Sequence, residues 1–371
     1  MKVLLVSPYS EKLVGGIVNW TKYIVNYHHG YADGIDLHLL NNVNAKSVFL
    51  TDNITKRLSS GLKNYIPVLK EFKTKISKER YDVVHICSSA SLGLVRDLVF
   101  VHEAQKKGIK TVVHMHFGRI PQILESKGWE HWLLRKLMNG IDCAVVMDHY
   151  SLSALIERGY KNTVYLPNPL STEVQSLIEK CNVDRREPRT IVFAGHVCPS
   201  KGVYELVEAC KEIKNVRLVI LGKETVPGTQ DKLFEIAGDG AEKWLTLLGN
   251  QPMAKVISYM KACTVFVLPS YSEGFPNVIL ESMACGCPIV STDVGAIPEI
   301  LDSKQGRKYG ICVKPKQVIE LRDAIIWILN NPQESRNMGL NAQKRVNDLY
   351  SMPKVWNQLI GIWKGVTEKQ I

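Results

Sequence analysis

No Asp-X-Asp occurs anywhere in the 371 residues, so nothing signals a metal-bridged diphosphate. Long apolar runs are missing too. None approaches the ~20 residues that a membrane-spanning helix needs. The opening MKVLLVSPYS lacks the apolar core and small-residue cleavage site of a secretory leader, and reads as a first strand. P-loop and G-x-G-x-x-G patterns are absent, as are low-complexity segments and short-period repeats. No nucleic-acid motif or aromatic-rich strand pair offers a surface for bases. Nine cysteines, an odd number, lie mostly within apolar runs (Cys87, Cys143, Cys210, Cys263, Cys312). That pattern suits buried thiols in a reducing, cytoplasmic setting. Cys285 and Cys287 stand one residue apart with no second pair and no nearby histidine, which argues against zinc.

What is present is size, apolar content and positive charge. A 371-residue chain with 45% hydrophobic composition has enough material for two domains. The net charge of +11 points to an anionic partner, and much of it falls between Lys56 and Arg80, where eight Lys or Arg face Glu71 and Glu79. Leu58, Leu62, Ile66, Leu69, Phe72 and Ile76 recur there at helical spacing. The expectation is an apolar stripe turned inward and a basic face turned outward, either plainly solvated or docked on an anionic membrane.

Residues 263–300, CTVFVLPSYSEGFPNVILESMACGCPIVSTDVGAIPEI, are the most informative stretch. Val265 to Leu268 is a short apolar run expected as a parallel strand buried on both faces. Pro269-Ser270 ends it, and a polar loop leads to Glu273-Gly274-Phe275-Pro276. A helix through Asn277 to Ala284 follows, with Pro276 suited to its first turn and Gly286 and Pro288 ending it. Pro288 to Thr292 is the next strand. This order places the loop at the carboxyl end of a parallel sheet, where open α/β folds bind ligands. Glu281 lies eight residues after Glu273, inside an otherwise apolar helix. Two arbitrary glutamates would be read as a cap acid and a surface acid.

The full string, with Pro-Ser before it and A-C-G-C-P after it, resembles the E-x7-E segment of the retaining glycosyltransferases of family 4, of the bacterial surface-polysaccharide type. The resemblance implies the GT-B architecture, α/β, with two doubly wound Rossmann-like domains facing each other across a cleft. It also implies that Glu281 holds the ribose hydroxyls of a nucleotide-sugar and that Glu273 contacts the donor sugar. Backbone N–H groups of Gly274 and Phe275 complete the sugar's cradle, and Pro276 and Asn277 belong to the same donor-binding loop.

Other loops join this reading. Gly195-His196-Val197-Cys198-Pro199-Ser200-Lys201-Gly202 resembles the family's G-R-x3-5-K-G loop, which places Lys201 on the diphosphate beside a helix N-terminus. His196 stands where relatives usually carry Arg, and a histidine is a weaker, pH-dependent phosphate ligand. Gly15 and Gly16 follow the first strand; a plain turn and a close approach to phosphate or sugar are equally open there. In the family, that loop faces the donor phosphates and the acceptor. His116, last before Phe117-Gly118, resembles the family's active-site histidine, with His114 the competing candidate because alternation puts both on one face.

The domain expectation is an N-terminal acceptor-side domain over 1–169, a charged linker over 170–189, a nucleotide-sugar domain over 190–350 and a last helix over 351–371 crossing back to the first domain. The functional expectation is a metal-independent, retaining hexosyltransferase without a cofactor, using a nucleotide-sugar (UDP-sugar favoured) and a saccharide or lipid-linked saccharide acceptor. Its place would be the cytoplasm, peripheral on the inner face of the membrane. A nucleotide-sugar 2-epimerase on the same fold and an inactive glycan-binding relative are the rivals.

Overall fold

Short apolar runs become parallel strands, and the amphipathic stretches between them become helices on both faces of each sheet. A computed structural model describes residues 1–10, 15–30, 34–42, 54–183 and 186–368, with 54–64 as backbone only. The chain forms two compact units, residues 1–169 with 353–371, and residues 170–352.

The first unit comprises β1 (Lys2–Ser7), α1 (Gly16–His28), β2 (Asp36–Asn41), α2 (Ile54–Lys78), β3 (Val83–Ser88), α3 (Gly93–Gln105) and β4 (Lys110–Met115). Helices α4 (Ile120–Glu125) and α5 (Trp129–Met138), β5 (Cys143–Val146), α6 (His149–Glu157) and β6 (Thr163–Tyr165) complete its first segment. Its six strands lie in the order β2-β1-β3-β4-β5-β6, all parallel. Alternation divides the side chains between two layers. Val84, Ile86, Val113 and Met115 enter a core with Phe72 of α2, Phe100 of α3 and Leu134 of α5. Residues of the opposite parity on the two central strands include His85, Cys87 and His114, all buried. Trp20 of α1 packs against His85 and His114.

The second unit comprises α7 (Thr172–Lys180), β7 (Thr190–Ala194), α8 (Val203–Lys211), β8 (Arg217–Leu221), α9 (Thr229–Ala237), β9 (Leu245–Gly249), α10 (Met253–Ala262) and β10 (Val265–Leu268). It continues through α11 (Asn277–Ala284), β11 (Ile289–Thr292), α12 (Ile297–Ile300), β12 (Ile311–Val313), α13 (Val318–Asn330) and α14 (Pro332–Tyr350). Strand order is β12-β11-β10-β7-β8-β9. The order reverses between β7 and β10, and the loops leaving those two strands therefore flank the switch point where ligands bind in such sheets.

Helix α15 (Met352–Thr367) ends the described chain and belongs, from Pro353, to the first unit. Val355, Trp356, Leu359, Ile362, Trp363 and Val366 form its buried stripe. Trp363 Nε1–H donates to His85 Nδ1 at 3.0 Å, and Trp356 packs on Tyr27 and His28.

Two local expectations need correction. Residues 170–189 are not an extended linker, because α7 occupies 172–180 and packs on α10 and α11. Ser171 caps it by accepting from the N–H groups of Glu173 and Val174. Val174 and Ile178, four apart, supply a buried stripe that the surrounding charges obscure. Asp184 and Arg185 lie outside the described residues. On α2 the buried stripe is Val68, Phe72 and Ile76, with Leu69 partly buried, whereas Ile66 is 63% exposed. Tyr65, its neighbour, takes the inward position against Phe100. The side chains of Lys56, Arg57, Leu58, Leu62 and Lys63 lie outside the described residues.

Candidate active site

In the second unit, three loops at the carboxyl ends of β7, β10 and β11 are locked together. The loop after β7 makes a short 3-10 turn, Pro199–Lys201, and Gly202 then adopts φ +69° to start α8. A Cβ at Gly202 would lie 2.0 Å from the Pro269 carbonyl oxygen, so this loop sits directly on the end of β10. Tyr271 N–H donates to Ser200 O at 2.9 Å across the same junction. From the other side, Ala296 N–H donates to Gly274 O at 2.9 Å, and Thr292 Oγ1–H donates to Ser270 O at 2.6 Å. A Cβ at Gly295 would lie 2.2 Å from Glu273 O. The backbone carrying Glu273 is thus fixed on both flanks.

This packing brings Lys201 and Glu273, 72 residues apart in sequence, into an ion pair of 2.6 Å between Nζ and Oε1. Ser270 Oγ–H donates to the same Oε1 at 2.7 Å. Oε2 of Glu273 has no donor among the described residues, and the Gly274 N–H has no acceptor among them. A charged amine, a carboxylate oxygen and an amide proton are therefore available in one loop cluster at the switch point.

Glu281 projects from α11, is 6% exposed, and has no hydrogen-bond donor among the described residues. Burial pushes its carboxyl pKa up to about 7. An ionised carboxylate held there without donors is costly, and hydroxyl groups of a ligand would relieve that cost. Phe275 is buried and packs edge-on against Tyr350. Pro276 caps α11 and Asn277 begins it. His196 is exposed beside this loop, and partial desolvation followed by the Lys201 charge lowers its pKa. The ring is therefore neutral at neutral pH and adds no fixed positive charge.

In the first unit, Gly15 and Gly16 lead into α1, and a Cβ at either would meet nothing within 4 Å among the described residues. Gly15 has an extended φ of 174°. Neither position takes a left-handed backbone, and neither is crowded by a neighbour among the described residues. Residues 11–14 of that loop lie outside the described residues. At the end of β4, His114 is fully buried while His116 remains partly accessible, and the two rings meet at a tilt of 34° with centroids 3.9 Å apart. Desolvation and then His85 lower the His116 pKa to about 3, and desolvation lowers that of His85 to about 3. Both rings are neutral donors or acceptors at working pH.

Donor atoms of His85, Cys87 and His114 lie within 4.8 Å of one another. The Trp363 N–H occupies His85 Nδ1, so the hydrogen of that neutral ring sits on Nε2. Metal-bound histidine usually gives its second nitrogen's hydrogen to an acceptor, and here a donor stands in that place. The sequence assigned no role at the site to Ser270, Gly295 or Trp363. Ser270 lay in view beside the glutamate string, but only the folded loops show its hydroxyl aimed at Glu273.

Comparison with known proteins adds the family. The model described as Glycosyltransferase Family 4 matches residues 15–174, and that described as Glycosyl transferases group 1 matches residues 175–345. An uncharacterised glycosyltransferase of Methanocaldococcus jannaschii is 25% identical over 350 residues, 93% of either chain. The putative teichuronic acid biosynthesis glycosyltransferase TuaC of Bacillus subtilis is 31% identical over 255 residues, 62% of this chain and 61% of its own length. Among solved structures, Anabaena HepE in complex with UDP-glucose superposes with a TM-score of 0.71 at 18% identity, covering 98% of this chain and 100% of that one.

Proposed function

The chain belongs to the GT-B glycosyltransferases, and we propose that it is a retaining enzyme that transfers a sugar from a UDP-sugar to a saccharide or lipid-linked saccharide in cell-surface polysaccharide assembly. The observation that carries the donor assignment is the Lys201–Glu273 pair at the switch point, followed on the next helix by Glu281, a buried carboxylate without donors among the described residues. A ribose offers the two adjacent hydroxyls such a carboxylate lacks. Lys201 Nζ would meet the diphosphate, and Glu273 Oε2 with the Gly274 and Phe275 amides would meet the sugar. Pro276 and Asn277 hold that loop at the start of α11. The UDP preference draws on HepE, and the acceptor class on TuaC, whose name assigns it to teichuronic acid synthesis. In the first unit, the Gly15-Gly16 loop and His116 are the candidate substrate contacts.

The bond from the anomeric carbon to the β-phosphate oxygen breaks, and the acceptor oxygen bonds to that carbon on the same face. The acceptor proton passes to the departing phosphate oxygen. Lys201 stabilises the negative charge that grows there, a contribution that is largest where water is excluded. No cofactor or metal ion takes part in this scheme, and the basic surface of the first unit holds the enzyme at the inner face of an anionic membrane.

A thermal-shift screen across nucleotide-sugars tests the donor. A ligand at 100 times its Kd stabilises the folded state by about 2.7 kcal/mol. A UDP-sugar should raise the melting temperature, and Glu281→Ala should abolish the shift. No response to any nucleotide-sugar would overturn the assignment. Transfer should also proceed at full rate in EDTA, and a loss restored by added divalent ion would refute the metal-free scheme.

A further inference from the structure

Helices α2, α3 and α5 share one core on one side of the first sheet. Phe100 of α3 packs on Tyr65 and Phe72 of α2. Glu130 of α5 accepts from the Ser91 N–H and hydroxyl just before α3. Their outward sides therefore form one layer. Large apolar side chains stand exposed on it: Ile66 at 63%, Leu92 at 51%, Val95 at 46%, Trp129 at 56% and Trp132 at 58%. The two tryptophans are three residues apart, so both leave the same face of α5. Nothing in the fold requires either ring, since α5 is anchored by Leu133, Leu134, Leu137 and Met138.

Charge on this layer is lopsided. Asp97, Glu103 and Glu130 are each paired, with Arg96, Lys73 and Arg119. Among the described side chains of the three helices, that leaves Lys70, Lys75, Lys78, Arg135 and Lys136 against Glu71. Lys136 Nζ lies 5.1 Å from the Trp132 ring centre, so ammonium and indole are presented together. Tryptophan rings flanked by lysines match the boundary between lipid headgroups and acyl chains, with the cations among the phosphates.

Resting on the reading of the chain as an enzyme acting on lipid-linked saccharide, we infer that this layer is its seat on an anionic bilayer, with Trp129 and Trp132 as the inserted anchors. The site places the anchor next to the chemistry. Arg119, three residues after His116, pairs with Glu130 of the anchoring helix. A lipid-linked acceptor arriving in the bilayer would find its headgroup at the loop that follows β4.

The test is sedimentation of the full chain with vesicles of mixed phosphatidylglycerol and phosphatidylcholine, against vesicles of phosphatidylcholine alone. Binding is expected to the anionic vesicles only, weakening as salt rises. The double variant Trp129→Ser, Trp132→Ser should lower partitioning at least tenfold while its melting temperature and its UDP-sugar thermal shift stay as in the wild type. That shift reports the donor reading separately, so either claim can fail alone. Equal binding to both vesicle types, or wild-type binding by the double variant, would overturn the inference. So would loss of binding in Lys70→Glu, Lys78→Glu with none in the tryptophan variant. A concentration-dependent dimer that the tryptophan variant dissolves would assign the face to a second copy instead.

Discussion

At Glu281 the protein's stability and its affinity for ligand are set by one proton. The folded-state pKa of about 7 lies above the ordinary carboxyl value, so the folded chain holds the proton more tightly than the unfolded one. Stability from this group is highest below the unfolded pKa, falls as pH rises through the window up to about 7, and is then flat at its lower level. Glu281→Gln should therefore stabilise the ligand-free protein by up to about 3 kcal/mol near pH 8, with little change near pH 4. Urea unfolding at the two pH values measures this. The same change should weaken nucleotide binding, because an amide replaces the charged acceptor. Nucleotide binding to the wild type should release a proton near pH 7, visible calorimetrically as a heat that depends on the buffer's ionisation enthalpy. Lys201→Met should cost about 1.5–3 kcal/mol of diphosphate interaction, read as a ten- to hundredfold fall in kcat/KM with the fold intact.

Among the elements, the loops matter more than the strands they join. Gly202→Ala forces a side chain into a left-handed backbone and against a carbonyl 2.0 Å away, so either α8 or the end of β10 must shift. A stability loss of about 1–3 kcal/mol is expected from such overpacking, together with separation of Lys201 from Glu273. Loss of donor binding in the variant checks the second effect. The string from Glu273 to Glu281 was legible because its loop, helix and following strand are local in sequence. What brings Lys201 to Glu273 is a contact between backbones far apart in the chain, and no local pattern records it. Helix α7 was hidden for a related reason, since only two of its nine residues are buried and three are charged. On α2, Phe72 and Ile76 are buried as expected and Ile66 alone of the described stripe is misplaced, because Tyr65 and Ile66 are both apolar enough to face inward and Tyr65 meets Phe100.

Across the whole molecule, the last helix completes the first unit. Trp363→Phe keeps an aromatic ring but removes buried volume and the N–H given to His85, leaving a buried acceptor unpartnered, at a cost of at least about 1–3 kcal/mol. Unfolding in urea should show that loss, while His116 and the donor loops of the second unit remain in place. The six buried side chains of α15 are worth about 1.5–3 kcal/mol each, far more than the single hydrogen bond. Those side chains are made only after every residue of the second unit. The first unit must consequently wait, with His85, Tyr27 and His28 uncovered, until the second unit has been made; a nascent chain interrupted anywhere before Pro353 should be a substrate for chaperones rather than a working half-enzyme.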